Sequence, residues 1–236
     1  MHSSLKTVPA VTFPLAVKAV MVDLDGTLLD TAGDLAAAAN MMLRELGKPE
    51  LPLATIQTFI GKGVPKLVKR SLTNSLDGEP DAELFAKAMP IYERDYAKTL
   101  SVNTRPYPGV VDGLKALREA GFHLACITNK AAAFTLPLLK ATGLHDYFAI
   151  ILSGDSLPEK KPHPMPLLHA CKHFGIEPQE MLLIGDSLND AQAARAAGCH
   201  VFVVPYGYNE GRDVRELDVD AIVATVYDAA KQIKLS

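Results

Sequence analysis

The chain has 236 residues and a formal net charge of −3, with 48% hydrophobic and 22% charged residues, the proportions of one large globular domain or a domain with an insertion. This balance gives no electrostatic basis for nucleic acid or an anionic membrane as partner. The 6% aromatic content and the absence of Trp argue against a base-stacking surface.

In chain order, residues 1–17 carry Lys6 and are broken by Pro9 and Pro14. That pattern is neither the apolar stretch of a signal peptide nor a membrane span, and reads as a loose N-terminal arm of a cytoplasmic protein. The stretch VMVDLDGTLLD follows, in which an apolar run ends in Asp23 and Asp25, then Gly26 and later Asp30. Short apolar strands are expected at 19–22, 124–128, 149–152, 181–184 and 201–204. Apolar on both faces, they suit a parallel sheet between helices. Helical periodicity covers 110–120, 131–142, 164–174 and 188–197, each ending near a glycine: Gly121, Gly143, Gly175 or Gly198.

One interval breaks the rhythm. Residues 31–104 hold no convincing strand; 33–46, 64–76 and 82–100 read as helices, and RPYPGV at 105–110 marks the return, with Pro108 placed to start a helix. The expected fold is α/β: a three-layer, Rossmann-like parallel-sheet core formed by residues 1–32 and 105–236, with an all-helical cap domain, 33–104, inserted. Open α/β sheets bind ligands beyond the carboxyl ends of their strands, so an insertion leaving from that end would cover the site.

Polar residues collect at those ends: Asp23 and Asp25, Thr128 and Asn129 in CITNK, Asp186 and Asp190 in LLIGDSLND, and Lys161 in the connection PEKKPHP. Each alone has an ordinary reading, as a capping turn, a helix N-cap, first-turn helix acids or a solvated lysine. Together and in order they resemble the four motifs of the haloacid dehalogenase superfamily over most of the chain. Four carboxylates in one crevice need cations; Lys161 is one, and Mg2+ bound by carboxylates, waters and substrate oxygens is the natural other. A carboxylate facing a hydroxyl, an amide, a lysine and a metal suits phosphoryl chemistry. Gly26 permits a tight turn that aims the N–H groups near Leu24 and Asp25 at phosphate oxygens.

The resemblance implies a role for each residue. Asp23 is the nucleophile that forms an aspartyl-phosphate. Asp25 is the acid and then the base, its backbone carbonyl meeting the metal. Thr128 and Asn129 bind phosphate, and Lys161 neutralises charge, with Lys160 its rival. Asp23, Asp25, Asp186 and Asp190 make the metal set. Asp25 argues against a dehalogenase, whose leaving halide needs no proton.

IGKGVPKLVKR, GDSLPEKKPHPMPLLHA and VPYGYNEG further resemble the phosphoglycolate phosphatase branch, which implies hydrolysis of 2-phosphoglycolate. Another small phosphate ester such as a sugar phosphate, or phosphosugar mutation, is the alternative. Lys62 stands where that branch often has Asn, and its Gly-Lys-Gly turn could bring a cation to a substrate carboxylate. Lys66, Lys69 and Arg70 are expected on a solvated face, Lys130 either at the site entrance or as a surface charge, and His163 in a loop. Cys126, Cys171 and Cys199, odd in number and without metal-type spacing, fit buried thiols in a reducing compartment. The expected partner is a small phosphorylated metabolite, and the expected state a monomer or homodimer.

Overall fold

The computed structural model describes residues 12–236; the part of the expected loose arm over residues 1–11 lies outside the described residues. In chain order the strands are β1 (Leu15–Val17), β2 (Ala19–Val22), β3 (Leu29–Asp30), β4 (Arg105–Pro106), β5 (His123–Ile127), β6 (Ile150–Leu152), β7 (Met181–Gly185), β8 (His200–Val203), β9 (Ala221–Ile222) and β10 (Ile233–Leu235). The α-helices are α1 (Ala32–Glu45), α2 (Leu53–Gln57), α3 (Val64–Thr73), α4 (Ala82–Thr99), α5 (Val110–Glu119), α6 (Ala132–Ala141), α7 (Met165–Phe174), α8 (Leu188–Ala197) and α9 (Val226–Lys231). None of the described helices is long and apolar enough to cross a membrane.

Six strands form one parallel sheet in the order β6-β5-β2-β7-β8-β9. The period-2 alternation of each strand divides its side chains between two cores. Val20, Val22, Leu182 and Ile184 face Leu114 of α5, Leu138 of α6 and Val226 of α9. Met21, Leu183, Val201 and Val203 face Leu167 of α7 and Ala193 of α8. Both faces are covered, which is why these strands read as unbroken apolar runs. The sheet grows outward in both directions from the adjacent pair β2 and β7, and the crevice at this switch in strand order is where open α/β sheets place their ligands.

Residues 15–17 depart from the expected arm. They form β1, which pairs in parallel with β10, Leu15 opposite Ile233 and Val17 opposite Leu235. Leu15 and Val17 are buried and Ala16 between them is exposed, the pattern of a strand with one covered face.

Between β3 and β4 the chain is helical, α1 to α4. The two crossings run side by side, because β3 and β4 pair antiparallel with Leu29 opposite Pro106 and Asp30 opposite Arg105. The carboxylate of Asp34, fully buried in the first turn of α1, clamps the returning chain. It accepts from Asn103 N (2.8 Å) and Nδ2 (3.0 Å) and from Thr104 N (2.9 Å) and Oγ1 (2.7 Å). The helices share a further core, in which Ala39 and Met42 of α1 pack with Val68 of α3 and Tyr92 of α4, and which Phe134 of α6 and Tyr208 join from outside the insertion. Helix α3 stops at Thr73, short of the expected 76, because Asn74 takes a left-handed conformation at φ 48°. Arg70 does not lie on a solvated face: it is 1% exposed, donates to Phe59 O (3.1 Å) and Leu76 O (2.9 Å), and pairs with Glu210. Lys66 and Lys69 do stay outside, on Glu79.

Removing the Asp34 carboxylate takes the acceptor from four donors, two on buried Thr104 and two on the exposed Asn103. Asp34→Ala is expected to cost about 3 kcal/mol, which for a chain of this size lowers the thermal midpoint by roughly 6–12 °C; differential scanning calorimetry checks it.

Candidate active site

The carboxyl ends of β2, β5 and β7 and the connection before α7 bring Asp23, Asp25, Gly26, Thr128, Asn129, Lys161, Asp186 and Asp190 into one crevice. Lys161 Nζ lies 2.8 Å from Asp23 Oδ1 and 2.7 Å from Asp190 Oδ1. Its bond to Asp190 is well directed, whereas Asp23 Oδ1 sits off the hydrogen-bonding direction and is buried without a hydrogen bond. Lys160 turns away and donates to Lys62 O (3.2 Å). The second oxygen of Asp190 accepts from Ser187 Oγ (2.7 Å), Ser187 N (3.2 Å) and Asp186 N (3.3 Å), a capping box that opens α8 and holds Asp190 in place.

Asp186 is held as firmly. Its Oδ1 accepts from Thr27 Oγ1 (2.9 Å) and its Oδ2 from the amide of Tyr208. Gly26, at φ 87°, packs so closely that any Cβ would run into Asp186 Oδ2. The Tyr208 hydroxyl accepts from Thr31 N (2.9 Å) and Ala32 N (3.0 Å) and donates to Asp30 Oδ1 (2.6 Å), so the loop that holds Asp186 also holds the crossing into the insertion. Sequence reasoning missed Thr27 and Tyr208. Thr27 stands in the DGT stretch, but nothing local marks its partner.

Asp25 Oδ1 accepts from Thr31 Oγ1 (2.7 Å), and Lys130 Nζ lies 2.8 Å from Oδ1 and 3.0 Å from Oδ2. Lys130 is 3% exposed, so the expectation of a surface charge is overturned. Asn129 Nδ2 donates to Gly61 O (3.0 Å) and Lys161 O (2.9 Å), while its Oδ1 is buried without a partner. Thr128 and Asn129 do not cap the following helix: α6 starts after Ala131, and Ala132 N donates to Asp155.

The charges decide what this crevice can hold. Burial lifts the Asp23 carboxyl to about 7, with Lys161 pulling it down and Asp190 pushing it up. Burial, then Asp190 and Asp23, push Asp186 well above the usual carboxylate range. For Lys161 burial works against the charge, but Asp190 and Asp23 outweigh it and raise its pKa. Oxygens of Asp23, Asp186 and Asp190 all lie within 4.8 Å of one another. Four carboxylates against the ammoniums of Lys161 and Lys130 leave two negative charges, and the donors are hard oxygens. The set fits a divalent cation.

Above Asp23 and Asp25, a cavity of about 30 Å3 is closed by Leu35, Ile60, Val64 and Leu67 of the helical insertion. That is room for about one water, so a larger ligand enters only when the insertion moves. Lys62 is not brought to the carboxylates: its Nζ lies 2.9 Å from Glu210, its side chain is 40% exposed, and it lines a neighbouring cavity with Lys160. His163 is exposed, as a loop residue should be. A larger groove of about 700 Å3 beside Gln57 and Arg212 contains none of the expected catalytic, phosphate-binding or metal-binding residues, so size alone does not mark the site.

Residues 20–204 match the family described as haloacid dehalogenase-like hydrolase. The chain is 73% identical to a phosphoglycolate phosphatase of Nitrosospira multiformis over 95% of this chain and 99% of that one. It is 61% identical to a phosphoglycolate phosphatase of Thiobacillus denitrificans over 94% and 98%. A crystal structure of a predicted phosphoglycolate phosphatase from Haemophilus somnus superposes with a TM-score of 0.86 at 35% identity, covering 91% of this chain and 97% of that one.

Gly26→Ala forces a Cβ against Asp186 at a backbone angle that favours glycine. Because ångström-scale misplacement of reacting groups is costly, turnover is expected to fall roughly a hundredfold, with circular dichroism unchanged and steady-state kinetics as the check.

Proposed function

We propose, from the premise that the chain belongs to the haloacid dehalogenase-like hydrolase family, that it is a magnesium-dependent phosphomonoesterase converting 2-phosphoglycolate to glycolate and phosphate through a phosphorylated Asp23. The observation that carries this reading is the buried Lys161 seated between Asp23 and Asp190, with Asp186 beside them, at the switch point of the sheet. Relatives at 73% and 61% identity that bear the name phosphoglycolate phosphatase support the substrate.

A carboxylate oxygen of Asp23 attacks phosphorus as the ester P–O bond breaks, and Asp25 gives its proton to the departing glycolate oxygen. Asp25, now a base, takes a proton from the water that attacks the phosphorus of the phosphorylated Asp23, releasing phosphate and restoring the carboxylate. Thr128, Asn129 and the N–H groups turned by Gly26 hold the phosphate oxygens, and Lys161 balances the charge of nucleophile and phosphate. Asp23, Asp186 and the backbone carbonyl of Asp25 would hold Mg2+, with Asp190, whose oxygens already serve Lys161 and Ser187, reaching it through water. When bound, Mg2+ supplies positive charge to the phosphate oxygens.

Residues 33–104 act as the cap, and residues 1–32 with 105–236 as the core. The enzyme works in the cytoplasm on a small phosphorylated metabolite, as a monomer or homodimer; three free, buried cysteines are in keeping with a reducing compartment. Lys62 is the cation for the substrate carboxylate. Its ion pair with Glu210 is 40% exposed on the lysine side, and such half-solvated pairs contribute little, so a substrate carboxylate can take the place of Glu210.

With 2-phosphoglycolate, the wild type should release inorganic phosphate, stop in excess EDTA and recover with magnesium. Asp23→Asn should be slower by roughly a thousandfold or more while folding normally. Turnover persisting in chelator would remove the metal from the reading, and isomerised sugar phosphate with little free phosphate would favour a mutase.

A charge-assisted hydrogen bond contributes about 1.5–3 kcal/mol, and each 1.4 kcal/mol is about tenfold. Lys62→Ala is therefore expected to lower kcat/KM for 2-phosphoglycolate roughly ten- to a hundredfold, and that for p-nitrophenyl phosphate only a few-fold. Equal losses on both esters would make Lys62 a lid or surface residue.

A further inference from the structure

Among the described residues, Lys130 is the buried cation at the crevice that the proposed reaction does not use. Its backbone is pinned on both sides: N donates to Thr128 Oγ1 (3.2 Å), and O accepts from Gly154 N (2.8 Å) and Thr135 Oγ1 (3.1 Å). The side chain therefore leaves a fixed point, and at 3% exposure it has little room to swing. Its ammonium contacts two things, the carboxylate of Asp25 and, 5.0 Å from the ring centroid, the face of Tyr96 in α4. Tyr96 is itself held against Phe134, 4.9 Å between ring centroids, and belongs to the insertion that must move when substrate enters.

The two oxygens of Asp25 are not equivalent. Oδ1 takes both Thr31 Oγ1 (2.7 Å) and Lys130 (2.8 Å), whereas Oδ2 has only Lys130, at 3.0 Å. Oδ1 thus takes two donors and Oδ2 one, which leaves Oδ2 the less occupied oxygen. Thr31 alone would fix one bond and leave the plane of the group free to turn; Lys130, bridging both oxygens, fixes the plane.

We propose that Lys130 is the positioning residue of Asp25, orienting its carboxyl group for proton transfer to the leaving alcohol, and that its contact with Tyr96 ties that orientation to the closed position of the helical insertion. The inference rests on Asp25 acting as the acid in the reaction above. No bond to substrate is asked of Lys130. Its effect reaches the reaction through Asp25.

A positioning role has a signature that neither a fold defect nor a carboxylate contact shares. Proton transfer to the leaving group matters for an alkoxide and little for p-nitrophenolate, a stable anion. The test compares kcat/KM for three esters, 2-phosphoglycolate, ethyl phosphate and p-nitrophenyl phosphate, in wild type, Asp25→Asn, Lys130→Met and Tyr96→Leu. The ratio kcat/KM reports the steps up to departure of the alcohol. General acid–base catalysis is typically worth about 10²- to 10⁴-fold, so Lys130→Met is expected to lose roughly ten- to a hundredfold more on both alkyl esters than on p-nitrophenyl phosphate. Tyr96→Leu should show the same pattern, weaker, and Tyr96→Phe should not, because the ring remains and the hydroxyl has no partner to lose.

Equal losses on all three esters would make Lys130 merely structural and overturn the inference. A loss confined to 2-phosphoglycolate would make it a carboxylate ligand and overturn it too. If Asp25→Asn shows the alkyl-selective loss and Lys130→Met does not, the positioning role alone falls. If Asp25→Asn lacks it as well, the acid assignment falls and takes this inference with it. Should Lys130→Met not fold, Tyr96→Leu carries the same comparison.

Discussion

Negative charge concentrated at one edge of the sheet is the constraint on which the rest of this molecule depends. Strands β2 and β7 are neighbours, and both end in aspartates. Asp23, Asp25, Asp186 and Asp190 consequently share a crevice that is largely closed to water. Left alone, such a group would protonate or fly apart. What keeps it together is specific: Lys161 between Asp23 and Asp190, Lys130 on Asp25, and N–H and O–H donors on the remaining oxygens of Asp186 and Asp190. Even so the compensation is incomplete: burial first, and the neighbouring carboxylates after it, hold Asp23 and Asp186 above the usual carboxylate range. A site that is one divalent cation short of neutrality is prepared for a metal, and then for a phosphate.

The same demand explains the glycines. Gly26 and Gly207 both back onto Asp186, and Gly185 onto Asp190, each so tightly that a methyl group would strike the carboxylate. Loops can approach a carboxylate this closely only without side chains, and the approach delivers the amide of Tyr208 to Asp186. Tyr208 then carries the arrangement outward, since its hydroxyl bonds the backbone at Thr31 and Ala32 where the chain enters the insertion. Asp34 fixes the returning strand beside it. The loop that holds Asp186 and the neck of the insertion are thus one hydrogen-bonded unit.

Much of this was legible in the sequence, for identifiable reasons. The five longest sheet strands are covered on both faces and so carry continuous apolar runs. The helices between them stop at glycines with positive φ. Strand β9 escaped because it has two residues, too few for any periodicity, and β1 because its partner β10 lies at the far end of the chain. The aspartates and Lys161 could be read because their spacing is local to strand ends. The fates of Lys130, Arg70 and Tyr208 could not, since each is decided by partners distant in sequence: Asp25 is 105 residues from Lys130, Glu210 is 140 from Arg70, and Thr31 is 177 from Tyr208. A long cationic side chain beside polar neighbours looks solvated until the fold supplies an anion.

The division of labour between the layers follows from these same contacts. Every charge in the crevice belongs to the sheet layer and its loops, while the helical insertion contributes Leu35, Ile60, Val64 and Leu67 over Asp23 and Asp25. An apolar roof adds no chemistry of its own, but it sets the dielectric. Closing it removes water from around the carboxylates, which lifts Asp23 toward neutrality, and by the same physics strengthens every interaction between Lys161, a bound cation and a phosphate. The roof also limits solvent: about 30 Å3 above Asp23 and Asp25 admits roughly one water. The insertion must still open to admit an ester, and its polar contacts with the core, among them Glu210 with Lys62 and Arg70, Asn129 with Gly61 O and Lys130 with Tyr96, must give when it does. With the charges on the sheet layer and the apolar roof on the helices, Lys161, Asp186 and Asp190 take their side-chain partners from the sheet layer and its loops, whereas Asp25 is tied through Lys130 to Tyr96 of the insertion.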